Sequence, residues 1–413
     1  MPFPQRSDVV VVGGGPAGAS TAFRLARAGL GVTIVDRAHF PRTKPCAEYL
    51  SPQAARILHD MGVLDAVERA GAAQLRGMRI RSADPTTFEG RFVASHGYPA
   101  FRDSGLALPR AELDAILLDA ARAAGARVEE GWRVARVLRD GNGRATGVAG
   151  TDAAGREAVL HAAVVVGADG LRSVVARDLG LARRARFPAR YAFVAHFGGI
   201  EGTDDAGEMH VTADGYVGLA NVGSGRTNVA LVVPAASVRA ARHGAERFLA
   251  AWIARQPHLA RRFERATRLT PVRATGPFAS QARRACGPGA ALVGDAAEFF
   301  DPFTGEGIHA ALRGGELAAP FVAEAARAHS TVDADASLAA YARLHTQEFR
   351  GKRVVERLVG LAVAYPWIFD RAAHVLAKRQ EMADLLIGVT GDFVPPREVL
   401  HPRFLFDLFG GAS

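Results

Sequence analysis

A βαβ unit near the N-terminus constrains the fold of this chain most strongly. The β-branched residues 9–12 run directly into the glycine-rich segment 13–18, which opens a stretch of helical composition over 19–28. A second apolar strand follows over 32–35 and ends at Asp36. Strand, glycine turn, helix and strand in this order predict the first unit of an α/β fold with a parallel sheet.

The glycine spacing within this unit predicts a dinucleotide site. Gly13, Gly15 and Gly18 form the pattern G-x-G-x-x-G. Gly13 permits a tight turn, Gly15 lets the backbone approach a pyrophosphate, and Gly18 allows close packing of helix on strand. Free N–H groups at the helix N-terminus favour the same anion. Asp36 is placed to accept hydrogen bonds from a ribose, whereas the alternative is a glycine-rich turn without a ligand.

Composition and charge exclude several other classes of protein. The 413 residues are 49% hydrophobic and 23% charged, which excludes disordered, collagenous and coiled-coil chains. The net charge of +9 rests on 48 Arg and only three Lys, and it admits an anionic partner. No basic run typical of nucleic-acid-binding tails is present, so we expect no nucleic acid. Cys46 and Cys286 lack both disulfide-framework and metal-ligand spacing, so we expect no metal.

Later segments continue the dinucleotide fold after an insertion. Residues 191–233 alternate apolar and polar, which predicts an antiparallel sheet with one covered face. A buried strand at 290–293 then leads into Gly294 and Asp295, and residues 337–387 are helical with an interruption at Pro366. Neither a signal peptide nor a long apolar span is visible, so we expect a cytoplasmic protein.

Three separated segments together match one family. The unit 13–36, the run Gly167-Ala-Asp169-Gly170-x-x-Ser173 and the run Gly294-Asp295-Ala-Ala resemble the FAD-dependent oxidoreductases of the para-hydroxybenzoate hydroxylase fold. The resemblance covers about residues 1–330, and NAD-only Rossmann enzymes lack the second and third segments. It implies an α/β fold: a Rossmann-like FAD-binding domain, an inserted antiparallel β substrate domain and C-terminal helices.

The resemblance also implies domain boundaries. The FAD-binding domain is expected over 1–75, 101–180 and 273–330. The substrate domain is expected over 76–100 and 181–272, and the helical region over 331–413.

Particular cofactor contacts follow from the same resemblance. Asp36 would hold the adenosine ribose, Arg110 would lie along the pyrophosphate and ribityl chain, and Asp295 would bind ribityl hydroxyls. Asp169 would lie near the pyrophosphate, whereas Arg172 is as well explained by a solvated side chain. The full expected cofactor set is Gly13, Gly15, Pro16, Ala17, Gly18, Asp36, Arg37, Cys46, Ala47, Arg110, Val134, Asp169, Gly294, Asp295, Gly305, Glu306, Gly307 and Ile308.

Two further segments look most like the geranylgeranyl-reductase-like branch, which neighbours the flavin halogenases. These are the run 44–52 around Cys46 and the run 301–308. In that branch the cysteine segment faces the isoalloxazine, so Cys46, Glu48 and Tyr216 are the expected catalytic residues. Cys46 could instead be an inert buried thiol. A helix beginning near Glu306 would direct its positive end at the flavin and stabilise the reduced form.

One segment departs from the reductases. They usually carry Tyr-x-Trp-x-Phe-Pro on the substrate sheet, whereas this chain keeps only Tyr216 in the run 215–221. The halogenase motif Trp-x-Trp-x-Ile-Pro is missing too, because Trp132, Trp252 and Trp367 each stand alone.

Three functions therefore stay open, and the sequence favours the first of them. The first is an NAD(P)H-dependent monooxygenase that uses O2, through a flavin C4a-hydroperoxide, to hydroxylate a lipophilic aromatic or polyketide-type substrate. The second is an ene-reductase acting on a prenyl or other unsaturated lipophilic substrate. The third is a non-catalytic prenyl- or lipid-binding protein. Peripheral membrane contact through 367–369 or 404–409 is a further expectation, although such faces also pack on the protein itself.

Overall fold

Two eight-stranded sheets organise the chain, and the first contains the predicted βαβ unit. The computed structural model describes residues 6–94, 97–184, 189–278, 280–299 and 301–410. The strands of the described residues are β1 (Arg6–Val12), β2 (Val32–Asp36), β3 (Tyr49–Leu50), β4 (Ala73–Leu75), β5 (Gly77–Arg81), β6 (Thr87–Arg91), β7 (Gly105–Ala107), β8 (Arg127–Glu130), β9 (Arg133–Arg139), β10 (Ala145–Thr151), β11 (Glu157–Gly167), β12 (Ala182–Arg184), β13 (Arg190–Gly198), β14 (Ala206–Thr212), β15 (Gly215–Asn221), β16 (Arg226–Pro234), β17 (Thr267–Arg268), β18 (Arg273–Thr275), β19 (Ser280–Ala282), β20 (Cys286–Gly287), β21 (Ala290–Leu292) and β22 (Glu298–Phe299).

The helices follow the same chain order. They are α1 (Pro16–Arg27), α2 (Pro52–Asp60), α3 (Leu64–Arg69), α4 (Arg110–Ala123), α5 (Val174–Asp178), α6 (Ala245–Ala254), α7 (Pro257–Ala260), α8 (Gly307–Arg327), α9 (Thr331–Ala364), α10 (Pro366–Lys378), α11 (Gln380–Thr390), α12 (Arg397–Leu400) and α13 (Pro402–Phe409). Two short three-stranded sheets, β12-β19-β22 and β3-β7-β4, complete the strand pairing of the described residues.

The first sheet brings three loops to one edge. Its order is β20-β21-β11-β1-β2-β8, and β1 is parallel to both β11 and β2. The N–H of Gly13 donates to the Val35 carbonyl at 2.8 Å, and the N–H of Ala168 donates to the Val12 carbonyl at 2.8 Å. The carboxyl ends of β1, β2 and β11 are thus adjacent, which is where open α/β sheets bind ligands.

The second sheet differs from its prediction in two respects. Its order is β17-β13-β16-β15-β14-β5-β6 and its pairs are antiparallel, except that β14 runs parallel to β5. The expectation of one covered face is wrong for β16, where residues 227–233 are all buried. The reason is that α6 places Phe248 and Trp252 against the second face, in one cluster with Val229 and Leu231.

The C-terminal helices break where proline predicts a break. α9 ends at Ala364, two residues before Pro366, because proline cannot supply the helical N–H and restricts the residue before it. A second interruption falls at Arg379, which the pattern over 337–387 did not indicate. The domain boundaries drawn from the sequence stay predictions, and their outer ends at 1–5 and 411–413 lie outside the described residues.

Candidate functional site

A cavity of about 990 Å³ connects the carboxyl edge of the first sheet to strands β13–β16 of the second. Its volume is at the upper end of the range for small-molecule and cofactor sites, roughly 300–1,000 Å³. Every predicted site residue lines it apart from Gly18, Gly294 and Glu306. Gly18 lies instead at the packing contact, where a Cβ would be 1.8 Å from the Gly13 carbonyl oxygen.

Two arginines lie against the glycine turn. A Cβ built on Gly15 would be 3.3 Å from Arg42 Nη2 and 3.8 Å from Arg110 Nη2. α1 begins at the next residue, Pro16, so its free N–H groups point to the same place. Positive charge and backbone donors therefore converge where the sequence predicts a pyrophosphate.

A buried carboxylate orients both cations. Asp114 is fully buried and accepts two hydrogen bonds from Arg110, at 2.7 Å from Nε and 2.9 Å from Nη2. Arg42 Nη1 lies 3.1 Å from the same carboxylate. Burial by itself lowers the pKa of Arg110, but Asp114 and the nearby Cys46 thiol outweigh it, so the pKa is raised. Sequence reasoning found Arg110 but missed Arg42 and Asp114. The only signal for Asp114 was its i,i+4 spacing from Arg110, and Arg42 had none.

Asp36 closes one end of the cavity. Its carboxylate accepts from the Gly14 N–H at 2.7 Å and from the Ala38 N–H at 2.8 Å. Each oxygen keeps a lone pair, so ribose hydroxyls could still donate to it. Arg37 is exposed at the rim, and Val134 lines the same end.

Asp169 and Asp295 line the middle of the cavity. Asp169 Oδ2 accepts from the Val174 N–H at 2.6 Å, and burial raises the pKa of this carboxyl. Among the described residues, buried Asp169 Oδ1 has no hydrogen-bond partner. Lys44 Nζ, a third cation that the sequence reasoning did not place, lies 3.4 Å from Asp295. Arg172 is not merely solvated, because it donates to the Gly276 carbonyl and lines the cavity.

The loop before α8 presents backbone to the cavity. Gly305 has φ of +73°, and a Cβ there would be 2.9 Å from the Tyr49 ring. α8 begins at Gly307, as predicted, and Gly307 and Ile308 line the cavity. The Glu306 side chain is buried beside Lys352 instead, with Oε2 3.5 Å from Nζ. Burial raises the pKa of Glu306, and Lys352 opposes that shift.

A buried clamp holds the cysteine segment to the second sheet. Glu48 is 4% exposed and adopts φ of +62°, which is rare outside glycine. Its carboxylate lies 2.6 Å from His196 Nε2 and accepts from the Asn228 amide at 2.9 Å and the Arg110 N–H at 2.8 Å. The Cys46 thiol accepts from the Glu48 N–H at 3.3 Å. We name the group Glu48, His196 and Asn228 the Glu48 clamp.

Small apolar residues form the floor of the cavity on the second sheet. They are Ala192, Val194, Gly218, Ala230 and Val232. Ala192 is opposite Val232, and Ala230 is opposite both Val194 and Gly218, so the five form one continuous patch. A Cβ on Gly218 would make ordinary van der Waals contacts, at 3.7 Å from the Glu208 carbonyl oxygen and the Met209 side chain, so a small side chain fits there without a clash.

The part of the cavity above this floor is named the chamber, and Tyr216 forms one of its walls. Its hydroxyl donates to Asp301 Oδ1 at 2.6 Å, and Arg190 Nη1 lies 2.6 Å from Oδ2 of the same carboxylate. Burial and the Asp301 charge raise the pKa of Tyr216 well above its ordinary value, so the phenol keeps its proton. Phe303 packs edge-on against Tyr216 with ring centroids 5.0 Å apart.

These residues fit FAD at the predicted position. Two arginines and the α1 N-terminus suit a pyrophosphate, Lys44 adds positive charge beside Asp295, and the buried Asp169 Oδ1 is free to accept a hydrogen bond. The glycine turn, Arg42 and Arg110 form a dinucleotide-binding site that we name the cradle. A cradle that opens onto an apolar chamber defines a flavin-dependent oxidoreductase. The chain belongs to the FAD binding domain family, whose model matches residues 6–331.

Several relatives share most of the chain. The menaquinone reductase of Mycolicibacterium smegmatis is 29% identical over 404 residues, 94% of this chain and 92% of its own. Digeranylgeranylglycerophospholipid reductase 2 of Methanopyrus kandleri is 31% identical and covers 77% of each chain. The solved structure of the myxobacterial chondrochloren halogenase has a TM-score of 0.77 at 27% identity, covering 84% of this chain and 80% of its own. The resemblance, the fold and the oxidoreductase class expected from the sequence are thereby confirmed.

Proposed function

We propose that this chain is an FAD-dependent reductase that saturates a carbon–carbon double bond of a lipophilic, prenyl-type substrate. The observation that carries the proposal is the floor of the cavity beside the cysteine segment, which consists of the small apolar residues Ala192, Val194, Gly218, Ala230 and Val232. Such a floor suits a bulky apolar ligand and offers no polar group to orient a hydrophilic one. The relatives named as reductases of menaquinone and of a digeranylgeranyl lipid support the same substrate class.

The cofactor would be held by the residues that converge on the glycine turn. Gly13, Gly15, Arg42 and Arg110 would bind the pyrophosphate, and Asp36 the adenosine ribose. When bound, FAD supplies hydride transfer to and from carbon. We propose NAD(P)H as the source of that hydride.

The chain's own residues would position the double bond and supply the proton that it takes up. A double bond that takes up a hydride also takes up a proton. The Cys46 thiol, which lines the cavity at the junction of cradle and chamber, would donate that proton and regain one from water. Glu48 holds that segment in place through its hydrogen bonds to the second sheet. Tyr216 remains protonated and turned toward Asp301, so it shapes the wall of the chamber.

A monooxygenase that uses O2 is the second candidate, and the sequence alone ranked it first. It is favoured by the departure of β15 from the reductase motif, because Gly218 stands where the reductases carry Trp. The menaquinone reductase relative, whose match covers 94% of this chain, favours reduction instead. A non-catalytic lipid-binding role is disfavoured by the complete geometry of the cradle, in which Asp114 orients two cations at the turn.

The two reactions differ in their need for oxygen. We expect NADPH oxidation with a polyprenyl quinone to proceed without O2 and to give a product that is still two hydrogens heavier by mass spectrometry after any quinol has been reoxidised to the quinone. O2 uptake equal to NADPH consumed, with an oxygen atom in the product, would establish the monooxygenase instead. Gly218→Leu fills the floor, so it should raise the KM for a polyprenyl substrate more than for a short-chain analogue.

A further inference from the structure

An exposed apolar stripe lies on the second half of α9. Val354, Leu358, Leu361 and Tyr365 recur at spacings of four, three and four, which places them on one face of the helix. Their exposed fractions are 40%, 44%, 45% and 52%, and Trp367, at the start of α10, is 69% exposed. We name these five residues the α9 stripe. Large apolar side chains gathered on one exposed face mark an interaction surface.

Two exposed arginines share the helical face of the α9 stripe. Arg350 and Arg357 are exposed and fall on the same helical face, four residues before Val354 and four before Leu361. Over the described residues from 350 to 410, Glu381 is the only exposed acidic residue, and the other six carboxylates are partly or fully buried. The exposed basic residues there are Arg350, Arg357, Arg371, Lys378, Arg379, Arg397 and Arg403, of which Arg379 pairs with Asp407 and Arg397 with Glu398. An anionic surface is therefore the complementary partner.

The opposite side of the same helix backs the chamber. Val355 and Val363 of α9 are buried in one apolar cluster with Tyr216 and Val232, which line the cavity. The Gly360 carbonyl accepts from Arg190 Nη2 at 3.1 Å. One helix thus separates the α9 stripe from the chamber, so a bilayer on the stripe would bring lipid close to the chamber wall.

We propose that the α9 stripe docks the protein on the surface of an anionic phospholipid bilayer. Tyr and Trp rings suit the headgroup boundary, the leucines suit the acyl region just beneath it, and the arginines suit anionic headgroups. Among the described residues no helix is both long and apolar enough to cross a membrane, so the contact is on the surface. The inference deepens the proposed function, on which it rests for the source of the lipophilic substrate.

Flotation with lipid vesicles tests the docking surface on the FAD-loaded protein. The vesicles contain either equal parts phosphatidylcholine and phosphatidylglycerol or phosphatidylcholine alone. We expect binding to the anionic vesicles that weakens in high salt. The variant Leu358→Gln/Leu361→Gln/Trp367→Gln should weaken it at least about tenfold, since burial of one large side chain is worth about that factor. Val332→Gln, which changes a 75% exposed residue at the other end of α9, should bind as the natural protein does.

Three results would overturn the docking proposal. The first is that the triple variant floats as well as the natural protein. The second is that the natural protein binds vesicles of phosphatidylcholine alone as well as it binds anionic vesicles. The third is that the natural protein is a dimer in size-exclusion chromatography and the triple variant is not. Turnover of detergent-dispersed substrate is measured on the same samples. Normal turnover with lost flotation separates docking from catalysis, whereas flotation without turnover keeps the docking surface and contradicts the proposed reductase.

Discussion

At the scale of single residues, one buried carboxylate determines how positive charge meets the glycine turn. Asp114 contacts Arg42 and Arg110, and both guanidinium groups lie beside Gly15. Because Asp114 is fully buried, this orientation is set before a ligand arrives, which lowers the cost of ordering the site on binding.

Arg42→Gln tests the cradle. The substitution removes one cation while Asp114 still holds Arg110, so we expect the Kd for FAD to rise about tenfold, the loss of one charge-assisted hydrogen bond. Flavin fluorescence titration of the apoprotein measures it. The matched control is Arg255→Gln, whose side chain is 60% exposed and pairs with Asp214. Equal Kd values for the two variants would contradict the account.

The Glu48 clamp gives a second residue-scale prediction. Glu48→Ala leaves the Arg110 N–H without its acceptor and removes one of the two acceptors of the Asn228 amide, which keeps its bond to the Cys46 carbonyl at 2.9 Å. Fewer contacts then hold the strained cysteine segment, so it should loosen. We expect iodoacetamide to alkylate Cys46 about tenfold faster, in line with about 1.4 kcal/mol lost from the segment. Buried Cys286 is the internal reference, and Glu48→Gln should lie between the two. Unchanged alkylation in Glu48→Ala would show that the clamp does not hold Cys46.

At the scale of elements, local pattern predicts what depends on neighbours in sequence. β1, α1 and β2 follow from periodicity and glycine spacing, and the end of α9 follows from Pro366. The second covered face of β16 could not be predicted, because α6 reaches it from a distant part of the chain. Arg42 and Lys44 were missed for a similar reason: their loop returns to the cradle only in the folded chain.

Gly18→Ala tests the contact between α1 and the glycine turn. The new Cβ would be 1.8 Å from the Gly13 carbonyl oxygen, so helix and turn must separate. We expect the free energy of unfolding to fall by about 2 kcal/mol, typical of overpacking, in urea denaturation. Gly141→Ala, with no atom within 4 Å of its Cβ, should change it by less than about 0.5 kcal/mol. A Gly18 variant as stable as the Gly141 variant would rule out the close packing.

At the scale of the whole molecule, partly buried ion pairs join distant elements and make stability depend on pH. Glu316 of α8 contacts Arg56 of α2, and Glu208 of β14 contacts Arg262. Burial by itself raises the pKa of each carboxyl, but the arginine partners outweigh it and lower the pKa from 4.5 to about 2.

The sign of these shifts predicts acid lability. A lowered pKa in the folded state stabilises the fold above the unfolded value of 4.5, and that stability is lost as pH falls toward 2. The Tm should therefore fall over this window, and Glu316→Gln should flatten the fall while lowering the Tm at neutral pH. Differential scanning calorimetry measures both. If the Tm of Glu316→Gln fell with pH as steeply as that of the natural protein, Glu316 would not contribute to the acid lability.

The parts of the molecule support the proposed function, in which a cradle for FAD opens onto an apolar chamber where an unsaturated lipophilic substrate would be reduced. The most direct measurement is the absorbance near 450 nm, about where oxidised flavin absorbs, after the dithionite-reduced holoenzyme is mixed with that substrate under strict exclusion of oxygen. The account predicts that the absorbance returns in proportion to the substrate saturated. Flavin that stays reduced until O2 is admitted would contradict it.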